Sequence, residues 1–462
     1  MVSNTSLQKS TRTPEQQVES GNETIVALAT PAGRGGIAIV RLSGSLAKEI
    51  AVAITGTVPR PRQAHLCEFK DQDGGAIDRG LALYFETPNS YTGEAVLELH
   101  AHGSPVVSEL LVRRCLELGC RMARPGEFSE RAFLSGQLDL AQAEAVADLI
   151  ESSTESAARS AIRSLQGAFS ERIYQLVEGL THLRIYVEAS IDFPEEEIDF
   201  LNQSEVKAQL SSLQNDFSEL RKVVRQGKLL RDGLKVVLSG VPNAGKSSLL
   251  NLLSREQRAI VSDIPGTTRD VLEQHLELDG LPVVLLDTAG IRDSTDSIEA
   301  EGVRRAREAQ QSADLVLQII DSSQSDEGIV DNALDLPNGV QVLTVYNKID
   351  LSGKPASIQE DAVFLSALTG EGLDLLVDYL KRVAGYRETD SSQFIARQRH
   401  IDALDRARAH LETGVAQLVQ YQAGELLAEE LRLAQQALGE ITGEVTSDEL
   451  LGRIFGSFCI GK

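Results

Sequence analysis

The segment Gly240-Val241-Pro242-Asn243-Ala244-Gly245-Lys246-Ser247 fits the pattern G-x-x-x-x-G-K-[ST] and follows a strand-like run, Lys235-Val236-Val237-Leu238-Ser239. Its glycines let the backbone curl until successive N–H groups face phosphate oxygens. Lys246 then reaches the β- and γ-phosphates and the Ser247 hydroxyl ligates Mg²⁺, with Ala244, Gly245 and Ser248 completing the cradle. The chemistry is capture of a nucleoside triphosphate. Downstream, Asp287-Thr288-Ala289-Gly290 offers a carboxylate that holds Mg²⁺ through water and a Gly290 N–H that senses the γ-phosphate. Asn347-Lys348-Ile349-Asp350 offers a carboxylate that accepts two hydrogen bonds from one edge of guanine. Adenine lacks the second donor, so such a site prefers GTP. Ser366-Ala367-Leu368 fits a loop whose backbone N–H meets the guanine carbonyl.

Each of these pieces needs a strand to carry it. Val283-Val284-Leu285-Leu286 runs into Asp287, Leu315 to Ile320 into Asp321, Val342 to Tyr346 into Asn347, and Ala362-Val363-Phe364-Leu365 into Ser366. Short continuous apolar runs suit strands buried on both faces, as in a parallel sheet wrapped by helices. Residues 231–382 therefore read as a Ras-like P-loop GTPase domain, doubly wound and mostly parallel, with ligand contacts at the strand ends.

The remainder of the chain sorts by pattern. Residues 138–230 are rich in Ala, Leu, Glu, Gln and Arg with apolar residues three and four apart, and 383–462 resume that character. Pro194 and Glu195-Glu196-Glu197 mark a break. The economical reading is one discontinuous all-helical domain interrupted by the GTPase domain, whose ends must then lie close together. Residues 21–137 read as a separate α+β domain: strands at Ile25-Val26-Ala27-Leu28 and Ile37-Ala38-Ile39-Val40 around Gly33-Arg34-Gly35-Gly36, further strands from Leu81 to Phe85 and Val96 to Leu99, and a helix from Pro105 to Leu118. His100 and His102 could ligate a metal, but two histidines two apart on a strand are more often one buried and one exposed residue.

At 462 residues and 42% hydrophobic, this multidomain α/β chain has material for two to four cores. Its apolar runs fall short of the ~20 residues of a membrane span. Residues 1–20 are polar, lack the apolar stretch of a signal peptide, and read as a disordered tail. Four cysteines without metal-ligand spacing fit a reducing cytoplasm, with Cys115 and Cys120 packing a helix. A net charge of −23 argues against a general nucleic-acid coat protein, yet leaves room for a local basic patch. Two basic stretches flank the GTPase segment: Arg221, Lys222, Arg225, Lys228, Arg231 and Lys235, then Arg397, Arg399, Arg406 and Arg408. They are either helix faces paired with neighbouring acids or a docking surface for RNA or a partner.

The pattern Ala29-Thr30-Pro31 with Gly33-Arg34-Gly35-Gly36, then Arg124-Pro125-Gly126-Glu127-Phe128-Ser129-Glu130-Arg131, then Leu138-Asp139-Leu140-Ala141-Gln142-Ala143-Glu144-Ala145, resembles the MnmE (TrmE) family of tRNA modification GTPases. So do Gly266-Thr267-Thr268-Arg269-Asp270 and the terminal Phe458-Cys459-Ile460-Gly461-Lys462. The resemblance runs from residue 22 to 462 and implies a folate-binding N-terminal domain that also homodimerises. It implies work with the flavoprotein MnmG (GidA), as a heterotetramer, to add an aminomethyl or carboxymethylaminomethyl group to carbon 5 of the wobble uridine of certain tRNAs. The one-carbon unit comes from a formyl- or methylene-tetrahydrofolate, while FAD and NADH belong to the partner. By the resemblance Arg41 and Glu98 contact folate, Lys462 lies near them, and Gln137 stands where the family usually has Lys. Gln137 can still hydrogen-bond but brings no cation. Cys459 is a functional thiol by the same resemblance, with catalysis and packing both open.

The resemblance also fills a gap in the hydrolysis chemistry. Ile291 stands where many small GTPases carry a water-orienting Gln, and an apolar side chain cannot do that task. Glu299 occupies the family's position for that role, acting through water. The resemblance further implies a K⁺ ion in place of an arginine finger, held by the Asn243 side chain and by Ser262, Ile264 and Thr267, after dimerisation of the GTPase domains. Asp263, Pro265 and Gly266 belong to the same nucleotide-contacting loop, and Thr268 completes the Mg²⁺ shell with Ser247. Two other readings stand beside this one. A ribosome-assembly GTPase would need an RNA-binding module, yet neither a KH-like G-x-x-G nor a second P-loop is visible. A dynamin-like mechanical GTPase would need a basic amphipathic membrane helix, which the sequence also lacks.

Overall fold

The apolar runs of the sequence form two separate sheets in the computed structural model, which describes residues 23–192, 204–256, 273–287, 313–324, 340–386, 394–421 and 423–461. The chain divides into two units, residues 1–147 with 442–462 and residues 148–441.

In the first unit the elements run β1 (Ile25–Leu28), β2 (Ala38–Ser43), α1 (Ala47–Thr55), β3 (His65–Lys70), β4 (Ala76–Phe85), β5 (Val96–Ala101), α2 (Pro105–Glu117), β6 (Arg121–Met122), α3 (Glu127–Leu134) and the helix α4 (Leu140–Glu151). The sheet order is β3-β4-β5-β2-β1-β6, antiparallel except for the β1–β6 pair. Period-two alternation sets its faces. Val40, Leu42, Phe69, Ala82, Tyr84, Leu97 and Leu99 pack with Ile50, Ile54, Leu111 and Cys115 of α1 and α2, while Arg41, Glu98 and His100 lie on the other face. Cys115 and Cys120 are buried in that core, as the helix-packing reading requires, and burial pushes the Cys120 thiol up to about 12. The sequence reading missed β3 because its alternation is weak: His65, Leu66, Cys67, Glu68 and Lys70 leave Phe69 alone fully buried.

The second unit holds α5 (Glu155–Leu165), α6 (Ala168–Asp192), α7 (Ser204–Asp232), β7 (Leu234–Ser239), α8 (Lys246–Glu256), β8 (Glu273–Leu278), β9 (Leu281–Asp287), β10 (Leu315–Asp321), β11 (Gln341–Asn347), α9 (Ile349–Ser352), β12 (Ser357–Gln359), β13 (Ala362–Phe364), α10 (Leu373–Val383), α11 (Gln398–Tyr421) and α12 (Gly424–Thr442). The last described helix, α13 (Asp448–Gly456), returns to the first unit, where Ile454, Phe455 and Phe458 pack on Leu140, Ala143 and Ala147. The second sheet has the order β12-β13-β11-β10-β7-β9-β8. Its five inner strands pair in parallel, and β12 and β8 close the edges antiparallel. This is the doubly wound, mostly parallel sheet that the apolar runs predict, and β10 is buried along nearly its whole length.

The helices follow ordinary rules. Thr154 caps α5 by accepting from Ala157 N at 3.1 Å, and Ser447 caps α13 by accepting from Leu450 N at 3.2 Å. Within the helical part, Phe169 stacks on Phe394 with ring centroids 4.6 Å apart. The basic stretches are largely paired with carboxylates: Arg221 with Asp405, Lys222 with Glu219, Lys228 with Asp232, Arg231 and Arg397 with Asp148, Arg406 with Glu440 and Arg408 with Glu412. Arg399 donates to Glu440 O and Ile441 O at the end of α12, where carbonyls otherwise lack partners. That is the paired-face reading for these residues.

Candidate functional site

The segments expected at the nucleotide sit together because their strands are parallel neighbours. The P-loop follows β7, Asp287 ends β9, Asp321 ends β10, Asn347 ends β11, and Ser366 follows β13. All five points lie at the carboxyl edge of one sheet, where open α/β sheets bind ligands.

The P-loop backbone is tightly constrained. Gly240 has φ +147°, and a Cβ there would lie 2.4 Å from Ile319 O. Gly245 has φ +102°, and a Cβ would lie 2.0 Å from Asn347 Nδ2. Neither position admits a side chain. Asn243 takes φ +62°, which Asn tolerates better than most residues, and leaves its amide exposed at the loop surface. Lys246 is buried, and its ammonium donates to Gly240 O at 2.7 Å and Val241 O at 2.9 Å. Ser247 and Ser248, exposed in the first turn of α8, stand at a helix N-terminus whose free N–H groups and dipole favour phosphate.

Asn347 ties this loop to the segments expected to read the base. Its Nδ2 donates to Ala244 O at 2.9 Å, and its Oδ1 accepts from Lys348 N at 2.8 Å and Ala367 N at 2.9 Å. The residue is 2% exposed, so those bonds form away from water. Ser366, fully buried, donates through Oγ to Asp350 Oδ1 at 2.5 Å, and the same oxygen accepts from Leu368 N and Thr369 N. Asp350 keeps its exposed side free to receive the edge of a base.

Asp321 is a site residue to which sequence reasoning gave no role. Burial alone would raise its carboxyl, but the Lys348 ammonium at 2.6 Å, together with the Ser323 hydroxyl and N–H, holds it down at about 2. Asp321 thus stays ionised and fixes the Lys348 side chain, whose aliphatic stem can flank a base. The available signal was its place at the end of a central strand.

Ser262, Asp263, Ile264, Pro265, Gly266, Thr267, Thr268, Thr288, Ala289, Gly290, Glu299 and Lys462, expected at the nucleotide, ion and folate sites, lie outside the described residues, as does the tail 1–20. Asp287 is described as the last residue of β9.

In the first unit, Arg41 on β2 and Glu98 on β5 are register partners, with Arg41 Nε 2.8 Å from Glu98 Oε1. The Arg41 guanidinium lies 5.9 Å from the ring centroids of both Tyr91 and Phe128. Glu98 Oε2 is 3.2 Å from His100 Nε2, and His102 pairs with Asp78 at 2.9 Å. Each histidine has a carboxylate partner, and the described residues contain no group of three or more metal-capable side chains. The pair is largely buried, with the Arg41 and Glu98 side chains 25% and 13% exposed. Gln137 is exposed just beyond α3, with its Cγ 3.5 Å from where a Cβ on Gly93 would lie. Cys459 is exposed, and its carbonyl accepts from Gly126 N at 3.4 Å. Gly461 packs so closely on β1 that a Cβ would lie 2.4 Å from Leu28 O. The Arg124–Arg131 motif is the joint that holds this assembly. Phe128 is fully buried, Ser129 Oγ bonds Tyr91 OH at 2.9 Å, and Glu127 gathers Arg121 and Arg131.

Comparison with known proteins gives the following. The family pattern described as "MnmE helical domain" matches residues 140–459, and that described as "GTP-binding protein TrmE N-terminus" matches residues 24–137. Among solved structures, the G domain of the T. maritima FeoB iron transporter is 28% identical over 33% of this chain and 98% of that one, with a TM-score of 0.25. Era from Aquifex aeolicus bound to GDP.AlF4- is 22% identical over 48% of this chain and 98% of its own, also at 0.25. A GTP-binding protein from Sulfolobus solfataricus in complex with GDP is 19% identical over 46% of this chain and 67% of that one, again at 0.25.

Proposed function

This chain belongs to the MnmE/TrmE family of tRNA modification GTPases, and on that premise we propose that it works with the flavoprotein MnmG to modify carbon 5 of the wobble uridine of certain tRNAs. The product carries an aminomethyl or carboxymethylaminomethyl group. The observation that carries the GTPase part is the Asn347 bridge, which joins a phosphate-binding loop to a guanine-reading carboxylate in one rigid site. The working form is a cytoplasmic homodimer that assembles with MnmG into a heterotetramer. No helix of the described residues is long and apolar enough to cross a membrane.

Hydrolysis divides among this chain's residues. The P-loop N–H groups and Lys246 hold the β- and γ-phosphates, Asp350 selects guanine, and Glu299 orients the attacking water through a second water. Ser247 and Thr268 would hold Mg²⁺, with Asp287 reaching it through water. Asn243, Ser262, Ile264 and Thr267 would hold K⁺, which would supply positive charge to the reacting phosphates. The exposed Asn243 amide, a neutral oxygen donor on a left-handed residue, suits a weakly hydrated monovalent cation. Preorganised charge at the leaving group lowers the barrier. Hydrolysis is therefore expected to be about tenfold faster in K⁺ than in Na⁺ at matched ionic strength. Equal rates would remove the ion-cage assignment.

Arg41 and Glu98 would hold a tetrahydrofolate derivative, with Gln137, Lys462 and the thiol of Cys459 near it. The bound folate would supply the one-carbon unit. Phosphoryl transfer has no direct place in that chemistry, so GTP acts as a conformational input. The reading is tested by combining the chain, MnmG, GTP, formyl- or methylene-tetrahydrofolate, and unmodified tRNA. A GTP-dependent mass increase on the wobble uridine is expected. An unchanged tRNA with intact GTP hydrolysis would favour a ribosome-assembly role instead.

A further inference from the structure

Both nucleotide-sensing stretches of the second unit open from the same end of one hairpin. The sequence containing Gly266-Thr267-Thr268 leads into β8, and β9 ends at Asp287. Strands β8 and β9 are antiparallel, with Glu273 opposite Leu286 at that end and Leu278 opposite Leu281 at the other. The far turn, Asp279-Gly280, is fastened to two different helices. Ser156, in the first turn of α5, donates through Oγ to Gly280 O at 2.9 Å, and Lys381 of α10 donates to Asp279 Oδ2 at 2.8 Å. Ser156 is itself set by Thr154, the buried cap of α5, whose hydroxyl lies 3.0 Å away.

A second fastening lies alongside. The carboxylate of Asp148 is 2% exposed and shared by two arginines. Arg231, in the last turn of α7 just before β7, reaches Oδ1 at 2.9 Å, and Arg397, just before α11, reaches it at 2.7 Å. One carboxylate therefore binds the entry and exit of the sheet-bearing segment. Ser164 of α5 adds to this by accepting from Ile395 N at 3.0 Å and donating to Ile395 O at 3.2 Å. Between the clamp and the hairpin lies a cavity of about 510 Å³, walled by Asp148, Ser152, Arg231, Ile395, Leu276 and Val284. The cavity is open to solvent on one side, so a wall can shift into it without displacing packed neighbours.

We propose that the β8–β9 hairpin is the element through which the nucleotide state reaches the helices, with Ser156 on Gly280 as its contact and the Asp148 clamp as its fixed point. Rearrangement at the nucleotide end displaces the hairpin into the cavity, while Asp148 keeps the segment ends in place. The Ser156 bond then carries the displacement into α5. Ser156 and Asp148 are positioning residues, since neither touches the nucleotide edge of the sheet. The proposal rests on the reading of GTP as a conformational input to modification.

The experiment is hydrogen exchange of α5 in the full chain, comparing GDP with GDP and aluminium fluoride, for the native protein, Ser156→Ala, Ser156→Thr and Asp148→Asn. GTP hydrolysis and wobble-uridine modification are read on the same samples. In the native chain, α5 exchange is expected to change with the nucleotide state. In Ser156→Ala that response disappears, hydrolysis stays within about twofold, and modified uridines per GTP fall about tenfold, an ordinary size for coupling between sites. Ser156→Thr, which keeps the hydroxyl, restores both readouts. A native-sized α5 response in Ser156→Ala would overturn the proposal, as would a native chain whose α5 ignores the nucleotide. Asp148→Asn is expected to lose the response in the same way, and unchanged α10 exchange in GDP shows that the variant is folded. If α5 responds as described but no tRNA is modified by any form, the link stands and the modification reading fails.

Discussion

Asn347→Ala is expected to weaken GTP binding by about a hundredfold or more, although Asn347 spends its hydrogen bonds on protein rather than nucleotide. The substitution leaves Ala244 O and Ala367 N, whose bonds are buried, and Lys348 N, whose bond is half-buried, without their shared partner. Each orphaned buried group costs about 1–3 kcal/mol. The two buried ones, at about 2 kcal/mol each, together exceed the roughly 2.8 kcal/mol that corresponds to two decades of affinity. The loss falls on binding because the P-loop and the Ser366-Ala367-Leu368 loop no longer share a frame. Titration calorimetry with GDP and GTP checks this. Affinity within about threefold of the native chain would mean that the bridge is dispensable.

Glu127→Gln is expected to cost the first unit about 3 kcal/mol or more. Glu127 is 2% exposed and accepts from Arg121 at 2.6 and 2.8 Å, Arg124 N at 2.9 Å and Arg131 at 3.1 Å. An amide of the same shape keeps one acceptor, which can still take Arg121 and Arg131 at the Oε1 place, but its NH2 then faces Arg121 Nη1 and Arg124 N, and the buried positive charge is left uncompensated. Burial alone would raise the Glu127 carboxyl, but hydrogen bonds from Arg121 and Arg124 N and the charges of Arg121 and Arg131 outweigh it and hold the group at about 2. Because the folded value lies below the ordinary 4.5, this contribution is complete above pH 4.5. It is lost as pH falls from there toward 2. Hydrogen exchange of β1, β6 and α3 in the full chain should show opening more than a hundredfold more frequent in the variant at neutral pH, the equivalent of about 3 kcal/mol. The difference should shrink as the pH is lowered toward 2. A pH-independent difference would assign the effect to shape rather than charge.

The nucleotide site was legible because its residues are local in sequence and each follows an apolar strand. Gly240 to Ser247, Asn347 to Asp350 and Ser366 to Leu368 could be placed from spacing alone, and the parallel sheet brings them to one edge. What spacing could not reveal was the bracing between them. Asn347 meets Ala244 across 103 positions, and its partner Ala367 is another 20 away. The basic stretches show the same limit from the other side. Arg221 and Asp405 are 184 positions apart, and Arg397 and Asp148 are 249 apart, so spacing could not choose between paired faces and a docking surface. The short strands β3 and β6 were missed because their alternation is weak or only two residues long. The Arg124–Arg131 motif carried the family resemblance. Its physical content, a buried carboxylate joining β6 to α3 with Gly126 beside it against Phe455, needed the structure.

The central claim is that GTP hydrolysis by this chain serves tRNA modification. The most direct test is mass spectrometry of wobble uridines in tRNA from cells lacking the protein, compared with cells given back the native chain or Lys246→Ala. The account predicts that the carbon-5 modification vanishes in the deletion, returns with the native chain and does not return with Lys246→Ala. Modification that persists without the protein, or that Lys246→Ala restores in full, would contradict it.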